Sequence, residues 1–325
     1  MRLILVALAL AIAAFGQTTP KRIPPDEAAK HLVKKASATY PPLAEAARIQ
    51  GTIILEVSID ESGAASVRRL VTGHPMLAPA AIESANRWKY QPFEVDGKPA
   101  TVVTLVVVTF GNARGENDAA VRAEMSFQDD FWTAEESAQA ALAKGDYTGA
   151  EQQLNRAGNI LAPVSDGRRH ESERWTWMIS MGHLAMAQHK DDEAEQYYKK
   201  ALDLRQSGDK DAPEMAATLA DLGRLYAAEK RYDLARDHAT RSVSIYQKNF
   251  ERVGSKQPGA REVYGRAIAY QSWMLSRIAS QQNDQVEAGK RCRMVLDFQT
   301  FLGTADHDSF VSACEQAIKN PTPKD

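Results

Sequence analysis

The side chains able to do chemistry are scattered along this chain rather than gathered. His183 and His189 lie six residues apart in a helical stretch. That spacing turns them about 240° around the helix, so they cannot share a metal. Met178, Met181 and Met186 fall at the spacing of core packing, where a flexible thioether fills gaps. There is no nucleophile elbow, no phosphate-binding glycine loop and no HExxH helix, and acidic residues spread over helical faces as solvated charge does. The pattern points away from an enzyme and asks for no cofactor or metal. Cys292 and Cys314 are the only cysteines, too few for a metal site built on cysteine alone. In an oxidising compartment they would form one disulfide joining two neighbouring helices; otherwise they are two buried thiols packing as small apolar groups. Both readings stand at this point. A formal net charge of −2 argues against nucleic acid as the main partner, since phosphate binding needs a basic surface.

The amino terminus carries an address. Met1-Arg2 precedes an apolar stretch from Leu3 to Gly16, with Ala14-Phe15-Gly16 at a plausible cleavage site before Gln17. Residues 1–16 therefore read as a secretory signal. Such a helix reaches about 21 Å, short of the roughly 30 Å of hydrocarbon a membrane anchor must cross. No cysteine follows to take a lipid. The expected location is periplasmic or secreted, or membrane-anchored if the segment is retained.

Two periodicities divide the remainder. Residues 17–37 are polar and carry Pro20, Pro24 and Pro25, reading as a linker with at most one short helix near Asp26 to Lys35. In Thr52–Asp60, Ile53, Leu55, Val57 and Ile59 alternate with polar residues, Ile54 being the exception; this is the period of a half-buried strand. Asp60-Glu61-Ser62-Gly63 makes a turn, and Ser66 to Thr72 returns antiparallel. Leu77, Ala81, Ala85 and Trp88 mark an amphipathic helix. Thr101 to Phe110 is apolar on both faces: Val103, Leu105 and Val107 on one, Val102, Val106, Val108 and Phe110 on the other. A strand of this kind needs cover on both sides, from its own helices, a second copy or a partner. Residues 112–130 are charged and glycine-punctuated and read as an interdomain linker. Beyond them alanine, glutamine and aromatic residues take over, and residues 131–319 read as helical.

The run from Tyr40-Pro41 through Ile49-Gln50-Gly51, Asp60-Glu61-Ser62-Gly63, Gly73-His74-Pro75, Arg87-Trp88-Lys89-Tyr90-Gln91-Pro92-Phe93 and Asp96-Gly97-Lys98-Pro99 resembles the carboxyl-terminal domain of TonB-type energy transducers. The resemblance covers residues 38–111. It implies an α+β module, a three-stranded antiparallel sheet with two helices. It also implies capture of an extended segment, such as an outer-membrane receptor plug, as an added strand. The carboxyl half resembles tetratricopeptide (TPR) repeats. One unit has Leu219, Leu222, Gly223 and Tyr226, then Ala235, Ala239 and Ser242. Another has Met178, Met181, Gly182 and Ala185, then Ala194, Tyr198 and Ala201. A weaker pair precedes them (Ala138, Ala141, Ala150, Leu154, Ala157) and a degraded one follows (Leu275, Ala279, Ala288, Cys292, Val295). This implies an all-α helical repeat array with a concave protein-binding surface.

The expected function is an exported envelope protein that binds other proteins, one through each half. The alternative is a membrane-anchored TonB-type transducer for outer-membrane transport. Strand addition or a homodimer through the sheet would use Thr101, Val102, Thr104, Val106, Val108 and Phe110. Partners would be receptor plugs or other envelope proteins.

Overall fold

Valine and isoleucine dominate the two longest strands, and their stiff branched side chains favour a pleated surface over a helix. The computed structural model describes residues 20–113, 118–164, 170–205, 210–254, 258–302 and 310–319. The expected signal segment, residues 1–16, and the cut before Gln17 lie outside the described residues. The chain forms two compact units. One comprises the described residues within Ala14–Ala140 and Gln152–Ser165, the other those within Ala141–Glu151 and Asp166–Asp325.

In the first unit, strands β3 (Gly51–Ile59) and β4 (Ala65–Thr72) form an antiparallel hairpin. Its turn is held by the Asp60 carboxylate, which accepts from the backbone N–H of Ser62 at 2.8 Å and of Ala64 at 2.9 Å. Gly63 sits at φ +77°, and a side chain there would collide with the Tyr90 carbonyl, so the position admits only glycine. Strand β8 (Val102–Phe110) pairs antiparallel with β3 along its whole length, without a bulge. A short strand β1 (Lys21–Arg22) joins β8 in parallel at Val102 and Val103. The sheet order is therefore β1-β8-β3-β4. Two small ribbons accompany it: β2 (Leu32–Lys34) with β5 (Lys89–Tyr90), and β6 (Glu94–Val95) with β7 (Lys98–Pro99). Helices α1 (Pro25–Lys30), α2 (Pro42–Ala46) and α3 (Ala78–Ala85) each carry proline in the first turn, where a missing N–H costs nothing.

The sheet buries both faces. Ile53, Leu55, Val57, Ile59, Val102, Val106, Val108 and Phe110 pack with Leu77, Ala81, Ala85 and Trp88. Ile54, Leu105 and Val107 pack on the other side against Val71, Val121 and Met125. The last two belong to α4 (Ala119–Ala143). This corrects several expectations from sequence. The sheet has four strands, not three, because residues 17–37 are no plain linker: they supply β1, α1 and β2. The interdomain linker shrinks, because α4 begins at Ala119 and lays apolar side chains on the sheet. Strand β3 is not half-buried either; Ile54, its exception to alternation, is the residue that meets α4.

In the second unit, antiparallel pairs α6 (Glu171–Ala187) with α7 (Asp191–Arg205) and α8 (Pro213–Ala228) with α9 (Tyr232–Val253) are followed by α10 (Pro258–Gln281) with α11 (Gln285–Asp297) and the terminal α12 (Ser312–Lys319). Ahead of these pairs in sequence, helix α5 (Tyr147–Leu161) follows α4, and Ala138, Ala150, Leu154 and Ala157 of the expected weaker unit are all buried. Small residues mark the crossings. A side chain at Gly182 would strike the Tyr198 ring, and one at Gly223 would crowd the Ala239 backbone at 3.3 Å, so the helices approach as closely as the sequence rule predicts. A disulfide joins Cys292 on α11 to Cys314 on α12, with their Cα atoms 4.9 Å apart. It lies in a cluster with Tyr270, Val295 and Phe310.

Candidate protein-binding edge

An open sheet must present two edges, and each offers unpaired N–H and C=O groups to an incoming strand. The carbonyl of Val103 accepts from the Ile23 N–H at 2.8 Å, so its backbone faces away from β3. The β3–β8 register is unbroken, and strand alternation therefore turns the backbone groups of Leu105, Val107 and Thr109 to the same outer edge. Among the described residues, no strand pairs with β8 on that side beyond Val103. The opposite edge, on β4, is occupied at its start. The Ala65 N–H donates to the Trp88 carbonyl at 3.3 Å, and the Val67 N–H donates to Asn86 Oδ1 at 2.7 Å.

The six residues named from sequence do not meet on this edge. Val102, Val106, Val108 and Phe110 send their side chains into the core and their backbone groups toward β3. Thr104 is fully buried, and Thr101 lies just ahead of the strand. The double-sided apolar character of β8 is explained by α4 on one face and the core on the other. The residues whose backbone groups face the unpaired edge are their odd-numbered neighbours, of which Leu105 and Val107 are buried and Thr109 is exposed. Parity alone could not tell which set faced outward; that required knowing which neighbour pairs with β3.

Beside the start of β8 lies a buried charge cluster. Arg22 Nη2 donates to Glu56 at 2.9 Å and to Glu136 at 3.1 Å, and Asp129 stands 3.9 Å from Nη1. Glu56 also takes Arg69 at 3.3 Å, with Arg68 at 3.8 Å. Burial pushes the Glu56 carboxyl up, but Arg69 and Arg22 outweigh it and hold the group below its ordinary range. Burial wins at Glu136 and Asp129, whose carboxyls are raised in spite of Arg22. Arg69 continues the cluster onto α4, donating to Gln128 at 3.1 Å and lying 4.7 Å over the Trp132 ring. Sequence reading missed this cluster. Arg22 sat in a polar stretch, and Glu56 occupied what alternation marked as a solvent position.

In the helical unit, polar ties link successive pairs. Trp175 Nε1 donates to Thr218 Oγ1 at 2.9 Å, and His183 Nε2 lies 3.3 Å from the buried Asp221. Asp221 also pairs with Arg224. Glu195 on α7 receives Tyr226 at 2.9 Å and Arg231 at 2.8 Å. Burial opposes its charge, but hydrogen bonds from Lys199, Arg231 and Tyr226 bring its carboxyl down to about 2. Among the described residues, no group of three or more metal-ligating side chains gathers, and no helix is long and apolar enough to cross a membrane.

Residues 36–111 match the family model of the Gram-negative bacterial TonB protein C-terminal domain. Residues 172–248 match that of the tetratricopeptide repeat. The chain thus carries a TonB C-terminal-like module followed by TPR repeats, two kinds of non-catalytic module that support a protein-interaction role. No curated protein is detectably similar to the chain. Among solved structures, it resembles a Podosopora anserina chain of nearly identical TPR-like repeats named for kinesin light chain. The two are 14% identical, with a TM-score of 0.36, over 59% of this chain and 97% of that one. At that TM-score the likeness carries no argument.

Proposed function

We propose that the chain is an exported envelope adaptor whose TonB-like module takes an extended segment of one protein as an added strand, while the TPR array holds a second protein. The observation that carries this reading is the β8 edge. From Leu105 to Thr109 its outward backbone groups have no partner strand among the described residues. Main-chain pairing at a free edge supplies affinity that tolerates varied sequences, and alternate side chains supply selectivity. Two modules engaging two partners together gain avidity without any new contact. The apolar stretch at the amino terminus supports export, and the Gram-negative envelope setting of TonB C-terminal domains agrees with it.

Amide hydrogen exchange tests the strand-addition part directly. The probe is a lysine-flanked peptide copying Gly51–Ile59, the sequence β8 already accepts on its inner side. With the peptide bound, the amides of Leu105, Val107 and Thr109 should slow at least about tenfold, as new ladder bonds protect them. Those of Thr104, Val106 and Val108, paired with β3, should be slow with or without it. Unchanged exchange at all three outer positions under saturating peptide would sink strand addition. Protection that instead rises with protein concentration alone would mean that a second copy fills the edge.

A further inference from the structure

The β8 edge, unpaired from Leu105 onward among the described residues, is paired at its start. Lys21–Arg22 pairs in parallel at Val102 and Val103, and Ile23 donates to the Val103 carbonyl. These three residues cover the first positions of the edge that an added strand would use. We propose that this arm is a built-in competitor for the β8 edge, a strand of the chain itself that a partner pairing along all of β8 must displace. This inference rests on the strand-addition reading above.

Its construction is that of a plug meant to yield. Parallel pairing is slightly weaker per residue than antiparallel pairing, and here it spans only two residues. The arm is held instead by two side chains pointing in opposite directions. Ile23 is buried in the core face. The Arg22 side chain, 5% exposed, enters the carboxylate cluster on the other face. Yet its hydrogen bonding there is incomplete. Only Nη2 donates, to Glu56 and Glu136, while the buried Nε and Nη1 have no hydrogen-bond partner. The neighbouring carboxylates outweigh the cost of burying the charge, but each unmet buried donor gives back part of that gain. If the arm leaves, Arg22 regains water, and Glu56 keeps Arg69 and Arg68 as counter-charges. The latch therefore opens without stranding its central carboxylate.

The test uses the full chain, its Arg22→Ala variant, and a variant lacking residues 17–22 but retaining Ile23 and α1. The same Gly51–Ile59 peptide is titrated against each, with amide exchange read at Val103 for the arm and at Thr104 and Val106 for the integrity of the sheet. The expected result is fast exchange at Val103 in both variants, with Thr104 and Val106 still slow. Peptide affinity should rise about tenfold as the competent fraction grows. Adding a peptide of residues 17–25 to the trimmed chain should restore slow exchange at Val103 and weaken binding of the strand peptide. If both variants bind the strand peptide no better than the parent while Val103 has opened, the arm is no competitor and strand addition stands alone. If the peptide protects Leu105, Val107 and Thr109 in none of the three proteins, strand addition itself fails and takes the competitor with it. Should Arg22→Ala lose protection at Thr104 and Val106, the trimmed chain, which spares Ile23, decides.

Discussion

The two edges of the small sheet end in different ways. At β4, the turn after α3 closes the start of the strand with neutral hydrogen bonds, Val67 to Asn86 and Ala65 to Trp88. At β8, the cover is a two-residue strand from a remote stretch of sequence, fastened by an arginine with two unmet donors. The first kind of closure is local in sequence, so it forms with the hairpin and costs little chain entropy. The second must bring residues together from about eighty positions away, and loop-closure entropy weighs on it. An edge closed locally suits permanent protection from aggregation. An edge closed from afar suits exchange with another chain.

Proline separates the two sides of β8 most sharply. Val108 turns its N–H toward β3 and its side chain into the core, so Val108→Pro should remove a ladder bond and a buried side chain together. We expect a loss of at least about 3 kcal/mol of module stability in chemical denaturation. Thr109 is exposed and turns its N–H to the open edge. Thr109→Pro should cost less than about 1 kcal/mol, since proline is tolerated where its missing N–H faces outward, and should weaken binding of the strand peptide. Equal destabilisation by the two substitutions would mean that the backbone parity assigned to β8 is wrong.

Glu56 ties the edges together, since it lies on β3 between them and holds Arg22 of the arm and Arg69 of β4. Its carboxyl is held below the ordinary 4.5: burial opposes the charge, and Arg69 and Arg22 overcome that opposition. For a lowered carboxyl, the stabilisation is complete above 4.5 and is lost as pH falls through the folded-state value. Glu136 and Asp129 run the other way, because raised carboxyls favour the fold as pH falls. Glu56→Gln should therefore cost about 2 kcal/mol at neutral pH, leaving Arg22 and Arg69 with a neutral partner. The variant should also lose the part of the acid branch that lies below 4.5. Stability curves of the parent and variant that stay parallel from neutrality into acid would contradict the assignment.

What the sequence disclosed follows from where the physics is local. The alternation of Ile53, Leu55, Val57 and Ile59 and the turn at Asp60 to Gly63 act within a few residues, and the small residues at Gly182 and Gly223 act no farther than the next helix of their pair. The two faces of β8 also divide as its odd and even positions predict. What stayed hidden depends on contacts distant in sequence. Arg22 gains its meaning from Glu56 and Glu136, which lie 34 and 114 residues away. Helix α4 looked like a charged linker because its sheet-facing residues, Val121 and Met125, are sparse and its charges serve a buried cluster. The open edge was misassigned by one residue for the same reason, since side-chain periodicity fixes a strand's faces but not the direction of its backbone groups.

The smallest effect tests the closed edge. Asn86 ends α3 and turns its side-chain oxygen to the Val67 N–H at 2.7 Å. Asn86→Ala removes that acceptor, and the partly exposed N–H can turn to water, so the stability cost should be only about 1 kcal/mol. The larger consequence is for pairing. With Val67 released, β4 gains an outward donor beside the Ala65 bond to Trp88, and the sheet then offers a second place to add a strand. The variant should show faster amide exchange at Val67 and a concentration-dependent rise in mass by light scattering, while the exchange of Leu105, Val107 and Thr109 stays as in the parent. A variant that remains monomeric at high concentration would mean that Arg68 and Arg69, exposed and half-exposed on β4, already deter pairing by charge. Protection at β4 would then be electrostatic as well as hydrogen-bonded, and the difference between the two edges would be greater than their hydrogen bonds alone convey.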